Sequence, residues 1–332
     1  MIPKIVIKDF ITYKKKYLKF YAMANYIRLN YLEIQALMDT FGINNISNFE
    51  LMEGGAENSS FVVKKGNNTS ILSICNEKSF DQVHRLAKLL RYLTQKGFPT
   101  NRIIESTSGE LVINYKDKPA LLKEYLAGNV CEDINYNMLF KLGALIGKLH
   151  QIPPPECLPK CFPYGIDSFS QVFSKFPQLD YSKWLREKSD YIRRGLSSQL
   201  PTGLVHGDIF WDNVLFKNEN LIGIIDFEEA CNYYLLFDLG MCIVGTCVED
   251  ESISLDKAKS LLAGYESVRK LEDTEREMLP LFSEYAAVAT SFWRFRHHFI
   301  TNPQSQKENY LEMVAIANNI HENNSSFRNL SL

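Results

Sequence analysis

Apolar residues recur at helical spacing from Tyr31 to Phe41, at Leu32, Ile34, Leu37, Met38 and Phe41, and Gly42 offers a stop. The pattern then changes to short strand-like runs. Phe61 to Lys64 and Ser70 to Cys75 read as strands paired across Gly66-Asn67-Asn68. Phe80 to Lys96 returns to a helical period, with Val83, Leu86, Leu89, Leu90 and Leu93 on one face and Gly97 at its end. Leu111 to Tyr115 and Ala120 to Leu126 predict a second hairpin around Lys116-Asp117-Lys118. After Gly128, read as a hinge, the pattern is mostly helical. Met138, Leu142, Leu145, Ile146 and Leu149 share a face ending at His150, and Pro153-Pro154-Pro155 stops that helix. Residues 168–196 predict a further helix with Trp184 and Leu185 turned inward. Leu204 to Asp226 predicts a short β insert, and residues 254–323 are again helical. Asn323-Asn324-Ser325-Ser326 predicts a frayed end.

The order gives an α+β chain: a small antiparallel β lobe, then a mainly helical C-terminal lobe with an inserted β hairpin. The expected boundaries are a basic extension at 1–22, an N-terminal lobe at 23–127, a C-terminal lobe at 128–323 and a flexible tail at 324–332. The 332 residues suffice for two domains. Six lysines and one acid stand in the first 22 residues without the apolar core of a signal peptide.

Composition narrows the function classes. Hydrophobic residues at 45% and charged residues at 23% are an ordinary globular balance. A net charge of -2 gives no bulk attraction to nucleic acid or anionic membrane. No apolar run approaches the roughly 20 residues of a bilayer span; the longest, Leu235 to Val248, is interrupted by Asp238. Seven cysteines are scattered, and Cys157 and Cys161 have no second pair at zinc spacing. The expectation is a cytoplasmic protein in a reducing compartment.

The chemistry concentrates in Leu204-Val205-His206-Gly207-Asp208-Ile209-Phe210-Trp211-Asp212-Asn213, followed by Gly223-Ile224-Ile225-Asp226-Phe227-Glu228. Asp208 and Asn213 stand five apart between apolar runs. That spacing suits a loop in which an Asp meets a substrate hydroxyl and an Asn binds magnesium, while Leu221 to Ile225 delivers Asp226 to a strand end as a second metal ligand. Phosphoryl transfer needs such a set, because its transition state is stabilised mainly by position and charge. A lone Asp would more often cap a turn; the combined pattern argues against that here.

These residues resemble the aminoglycoside and choline phosphotransferase superfamily, and within it the homoserine kinase branch. The likeness runs from about Asn30 to His321. It is carried by Glu53-Gly54 with Glu57-Asn58-Ser59, Ile71-Leu72-Ser73, Lys96-Gly97-Phe98-Pro99, Pro119-Ala120-Leu121-Leu122, His206-Gly207-Asp208-Ile209-Phe210, Asp212-Asn213 and Ile225-Asp226-Phe227. Ala230-Cys231-Asn232 and the stretch from Leu261 to Arg269 are the more branch-specific parts. The resemblance implies a protein-kinase-like two-lobed fold, ATP with Mg2+, and phosphorylation of homoserine. It also implies that Gly54 to Ser60, including Gly55, Asn58 and Ser59, folds over the ATP phosphates. Glu124, Tyr125 and Leu126 match a linker whose backbone receives adenine, and Asp238 matches an acid that braces the catalytic loop.

Two departures matter. The superfamily's third-strand lysine is replaced by Ser73, as tends to happen in the homoserine kinase branch, and Lys78 is a candidate substitute. Of two late-helix arginines expected near the acceptor, only Arg294 is present; the other falls near Ala289. Arg294 is the candidate for a substrate carboxylate, its alternative role being a pair with a local acid. Asp212 or Glu229 is the candidate for the substrate ammonium. Asp212, Glu228 and Glu229 together leave open another hydroxylated amine, amino acid or aminoglycoside as acceptor. Ser73 keeps a nucleotide-binding pseudoenzyme among the alternatives.

Overall fold

Asn30 starts the first helix by exchanging hydrogen bonds with Glu33. Its side chain accepts from the Glu33 N–H at 3.0 Å, and the Glu33 carboxylate accepts from the Asn30 N–H at 3.0 Å. Helix α1 (Tyr31–Thr40) buries Ile34, Leu37 and Met38. Leu32, placed on the apolar face by its spacing, instead points outward at 77% exposure. The computed structural model describes residues 26–52, 58–196, 199–303 and 307–328; the basic extension at 1–22 therefore lies outside the described residues. Two compact units emerge. One takes the described residues up to His84 with Ile103–Tyr125, the other Arg85–Arg102 with the described chain from Leu126 onward. The segment 85–102, which the sequence groups with the first lobe, thus belongs to the second unit.

The first unit is an antiparallel sheet beneath α1. Strands β1 (Asn48–Leu51), β2 (Asn58–Lys65) and β3 (Asn68–Cys75) follow in succession. Helix α2 (Phe80–Gln95) begins here and runs into the second unit. Strands β4 (Ile103–Ile104), β5 (Ile113–Tyr115) and β6 (Lys118–Glu124) complete a sheet of order β1-β2-β3-β6-β4, with β5 also on β6. The β5–β6 turn is tighter than the predicted three residues. Lys116 and Asp117 both take positive φ, 48° and 64°, as a two-residue hairpin turn requires. Phe61, Val63, Leu72, Ile74, Ala120 and Leu122 make one sheet face part of the core that includes α1. Strand alternation turns Ser60, Val62, Ile71, Ser73, Leu121 and Lys123 to the other face.

The second unit is built on helices. Asn135 caps α3 (Tyr136–His150) by accepting from the Met138 N–H. The helix predicted over 168–196 is two: α4 (Ser170–Lys175) and α5 (Asp180–Gly195). The break holds Pro177, which has no N–H to continue the ladder. Strands β7 (Thr202–Val205), β8 (Val214–Lys217), β9 (Asn220–Ile224) and β10 (Cys231–Tyr234) form two ladders, β7 with β10 and β8 with β9. Helix α6 (Leu235–Thr246) is buried at every position. Helices α7 (Leu255–Glu266) and α8 (Asp273–Phe295) follow, and α8 runs on as a π-helical stretch, Arg296–Thr301. Helices α9 (Tyr310–Glu322) and α10 (Asn324–Arg328) close the described chain. The frayed end predicted from Asn323 is thus helical up to Arg328, anchored by Phe327 at 2% exposure. All seven cysteines are free, and among the described residues no helix is long and apolar enough to cross a membrane.

Candidate active site

Strands β7 and β8 carry the residues between Val205 and Val214, and β9 ends immediately before the segment of Asp226. Three local devices hold this stretch. Gly207 takes φ +85°, in the left-handed region, and a Cβ there would stand 3.0 Å from the Glu229 carbonyl oxygen and 2.9 Å from the Phe162 ring. Only glycine meets both demands without displacing a neighbour. Asn213, in the one-turn helix Trp211–Asn213, donates from Nδ2 to the Asp208 carbonyl at 2.9 Å and to its Oδ2 at 3.1 Å. Both amide hydrogens are thereby used, and Asn213 Oδ1 remains as its oxygen donor. Asp226 is exposed and takes φ 68°, a strained conformation for a residue with a side chain.

His206 ties these parts together. Its Nδ1 accepts from the Asp208 N–H at 3.1 Å, and its Nε2 donates to the Ile225 carbonyl at 2.8 Å. The pairing fixes a neutral imidazole with its proton on Nε2. Burial holds the ring's pKa below its ordinary 6.5, against a weaker upward pull from the Asp238 charge. The Ile225 N–H in turn donates to the Asn213 carbonyl at 2.9 Å. Asp208, Asn213 and the residue before Asp226 are therefore linked through one imidazole and one backbone bond.

Beneath the loop lies a buried polar chain. Asp238 on α6 is 0% exposed, and its two oxygens accept the His206 and Gly207 N–H groups at 2.7 Å each. Asp238 Oδ2 also meets His150 Nε2 at 3.2 Å, and His150 Nδ1 meets the Tyr265 hydroxyl at 2.8 Å. Arg269 donates to that hydroxyl oxygen at 3.1 Å and holds Glu275 through two bonds of 3.0 Å. With Arg269 on the tyrosine oxygen, the tyrosine proton goes to His150 Nδ1, and His150 gives its Nε2 proton to Asp238. Burial raises the Tyr265 hydroxyl well above its usual value, which keeps it a donor. The family resemblance singled out Asp238 but gave His150, Tyr265 and Arg269 no role. The available signal was a histidine ending an apolar helix and a Tyr and Arg one turn apart in Leu261 to Arg269.

The other candidates fall as follows. Asn58 opens β2 opposite Cys75. Ser59 is wholly buried, and its Oγ accepts from the Ile27 N–H at 2.8 Å and Asn76 Nδ2 at 3.2 Å. That hydroxyl ties down the chain before α1 and has no exposed surface to offer a phosphate, contrary to the sequence expectation. Gly54 and Gly55 lie outside the described residues. Lys78 is half-buried between β3 and α2. Glu124 ends β6 opposite Ser70, and the division between the two units falls just before Leu126.

Asp212 stands on the same one-turn helix as Asn213, and burial of its surroundings holds its carboxyl above the usual range while the charge of Arg294 pulls it down. Glu229 is half-buried after Asp226. Arg294, in the last turn of α8, donates to the Asn309 carbonyl at 3.0 Å and to Glu312 Oε2 at 2.8 Å. The structure therefore gives Arg294 a local acid, Glu312. Just beyond it, the π-helical stretch carries Arg296, His297 and His298. His298 is pushed down to about 4 by burial and by the charges of His297, Lys307 and Arg294. The sequence gave no warning of this π-helix.

Among the described residues no cluster of three or more His, Cys, Asp or Glu side chains forms a metal cage. One amide oxygen and one exposed carboxylate are a hard-oxygen donor set that suits Mg2+, which keeps several waters and shares phosphate oxygens.

Comparison with known proteins places the chain in a family. Homoserine kinase from Agrobacterium fabrum is 27% identical over 295 residues, covering 85% of this chain and 89% of the relative. Homoserine kinase from Gluconobacter oxydans is 27% identical over 276 residues, covering 80% and 87%. Among solved structures, a microcompartment-associated aminopropanol kinase superposes with a TM-score of 0.69 at 17% identity, over 90% of this chain and 99% of its own. A spectinomycin phosphotransferase bound to ADP and spectinomycin gives 0.66 at 16% identity, with the same coverage. At those identities the structures establish a shared fold, the protein-kinase-like one expected. The phosphotransferase enzyme family APH matches residues 48–271, two thirds of the sequence and the whole stretch from β1 to Arg269. The chain belongs to that family, and it is a small-molecule kinase.

Proposed function

We propose that this kinase transfers the γ-phosphoryl group of ATP to the hydroxyl of homoserine, giving O-phosphohomoserine. The observation that carries the transfer chemistry is the pair of hydrogen bonds donated by Asn213 Nδ2 to Asp208, which sets a carboxylate and an amide oxygen in one fixed group. Asp208 orients the acceptor hydroxyl and takes its proton late in transfer. Asn213 Oδ1 and the Asp226 carboxylate would hold Mg2+, which neutralises charge on the phosphate oxygens. Neutral His206 has its one proton held by the Ile225 carbonyl and can take up another only by giving up the Asp208 N–H, so it positions Asp208 rather than reacting. Residues 53–57 with Asn58 are assigned to the ATP phosphates, Glu124 and Leu126 to adenine.

Homoserine is supported by relatives of that name matched along 80–85% of this chain. It needs a cation for its carboxylate and an anion for its ammonium, since a buried charge left unpaired costs several kcal/mol. Arg294 serves the first, by exchanging Glu312 or adding to it, and Asp212 or Glu229 the second. The pairing of Arg294 with Glu312 favours one rival: a hydroxylated amine without a carboxylate, held by the same acids. A phosphorylation assay with homoserine, aminopropanol, choline and an aminoglycoside decides between them. Homoserine turnover that Arg294→Ala weakens through KM supports the proposal. Turnover of a carboxylate-free amine alcohol, with homoserine ignored, refutes it.

A further inference from the structure

A sheet residue is judged by its rung. One rung of the first unit runs across five strands: Glu50 on β1, Val62 on β2, Ile71 on β3, Lys123 on β6 and Ile103 on β4. Lys123 thus sits half-buried on a central strand between two isoleucines, where an apolar residue would pack best. Lys118 donates to the Asn76 carbonyl at 2.9 Å and Lys116 to Glu33 at 3.0 Å. The Lys123 ammonium meets no hydrogen-bond or ionic partner among the described residues.

The next rung on the same face is Ser60, Ser73 and Leu121. The two serine hydroxyls share a 2.9 Å hydrogen bond, so this rung is polar, uncharged and self-satisfied. Strand β1 ends at Leu51 and β2 begins at Asn58, and at this end of the two strands the Met52 N–H bonds the Ser60 carbonyl at 2.8 Å. Ser73 and Lys123 are diagonal neighbours, which places their Cβ atoms about 7 to 8 Å apart, within a lysine's reach. Lys64 shares the face but is exposed and opposite Thr69, near the far end of β2.

We propose that Lys123 is the nucleotide-phosphate cation of this kinase, reaching along its sheet face towards the Ser60–Ser73 rung. The inference rests on the ATP reading above. A half-buried lysine without a partner between isoleucines is a stability cost that a bound polyanion repays, and the serine pair leaves room for an ammonium that a third-strand lysine would otherwise fill.

Calorimetric titration of the full chain tests this, using ADP, ATP and adenosine as probes against wild type, Lys123→Met, Lys123→Arg, Lys78→Met and Lys118→Met. Loss of a charged hydrogen bond to phosphate should weaken ATP and ADP roughly 10- to 100-fold in Lys123→Met. Adenosine affinity should be unchanged, Lys123→Arg should stay near wild type, and the melting temperature of Lys123→Met should be equal or higher. Unchanged ATP affinity in Lys123→Met overturns the proposal. So does an equal loss for adenosine, which would make Lys123 a purine contact, and so does a loss confined to Lys78→Met. Lys123→Gln repeats the comparison should the methionine variant fold poorly. A wild-type chain that binds no nucleotide would instead overturn the ATP reading itself.

Discussion

Replacing Asp238 by Asn removes one oxygen and one charge from a site with no exposure. Its carboxylate takes three donors: the His206 and Gly207 N–H groups at 2.7 Å and His150 Nε2 at 3.2 Å. Suppose the asparagine oxygen keeps the His206 and His150 side. Its NH2 then faces the Gly207 N–H, donor against donor. Gly207 cannot rotate away cheaply, because the Glu229 carbonyl and the Phe162 ring crowd it. The lost charged bond is worth about 1.5 to 3 kcal/mol and the stranded buried donor about 1 to 3 more. A total near 2.5 to 6 kcal/mol is a large share of a typical stability of about 5 to 15. With a urea slope of about 3 kcal/mol/M, the unfolding midpoint should fall by roughly 1 to 2 M, with the slope itself unchanged. Turnover should fall with it, because Asp208 is carried by the same loop. Asp133→Asn is the control: it removes a carboxylate that is 94% exposed although paired to Lys257, and should stay within about 0.5 kcal/mol. A midpoint for Asp238→Asn within about 0.2 M of wild type would show that the buried chain does not carry the loop.

Asp208→Asn should keep nucleotide binding and lose turnover by roughly 10²- to 10⁴-fold, measured by product formation at saturating substrates; wild-type turnover would remove its assignment. Asp226→Ala should abolish the magnesium-dependent part of ATP affinity in calorimetry run with and without the metal; an unchanged magnesium-dependent affinity would remove its assignment. His206 sets an acid limit. Its folded pKa lies below the unfolded 6.5, so beneath about pH 6.5 the unfolded chain takes a proton the folded chain refuses, and stability falls as pH falls towards the folded value. Urea midpoints from about pH 8 to pH 5 should show this slope in wild type and a shallower one in His206→Gln; equal slopes would mean the ring is not held neutral.

What the sequence disclosed was chiefly what is local. Asp208, Asn213 and Asp226 fall within nineteen positions, and strand, turn and spacing announced them. The hairpins and the helices α1, α2 and α3 followed from period and stop residues. Helix α6 escaped because it is apolar all round and so has no face to alternate with. Leu32 fitted the helical period but not the actual stripe. The join of His150 to Asp238 spans 88 positions, and that of His150 to Tyr265 spans 115; nothing in a linear pattern reports such contacts. Ser59 was expected at the ATP phosphates by family resemblance, and only tertiary structure showed that Ile27 and Asn76 already claim its oxygen.

The stretch from Leu261 to Arg269, one of the two more branch-specific parts of the homoserine kinase resemblance, turns out to lie within the scaffold. A Cβ on Gly264 would stand 1.9 Å from the Phe140 carbonyl oxygen, and one on Gly143 1.9 Å from that of Leu261. Two glycines therefore let the backbones of α3 and α7 approach more closely than any side chain permits. That approach is what brings Tyr265, one residue after Gly264, within 2.8 Å of His150, seven residues after Gly143. From His150 the bonds continue to Asp238 and so to the backbone of His206 and Gly207. The motif thus identifies a way of bracing the catalytic loop, and it touches no group proposed to hold an acceptor. Likeness in those residues can persist while the acceptor changes. The proposed preference for homoserine would then rest on other residues, the candidates being Arg294 with its partner Glu312, and Asp212, where exchanging one pairing for another costs no core packing.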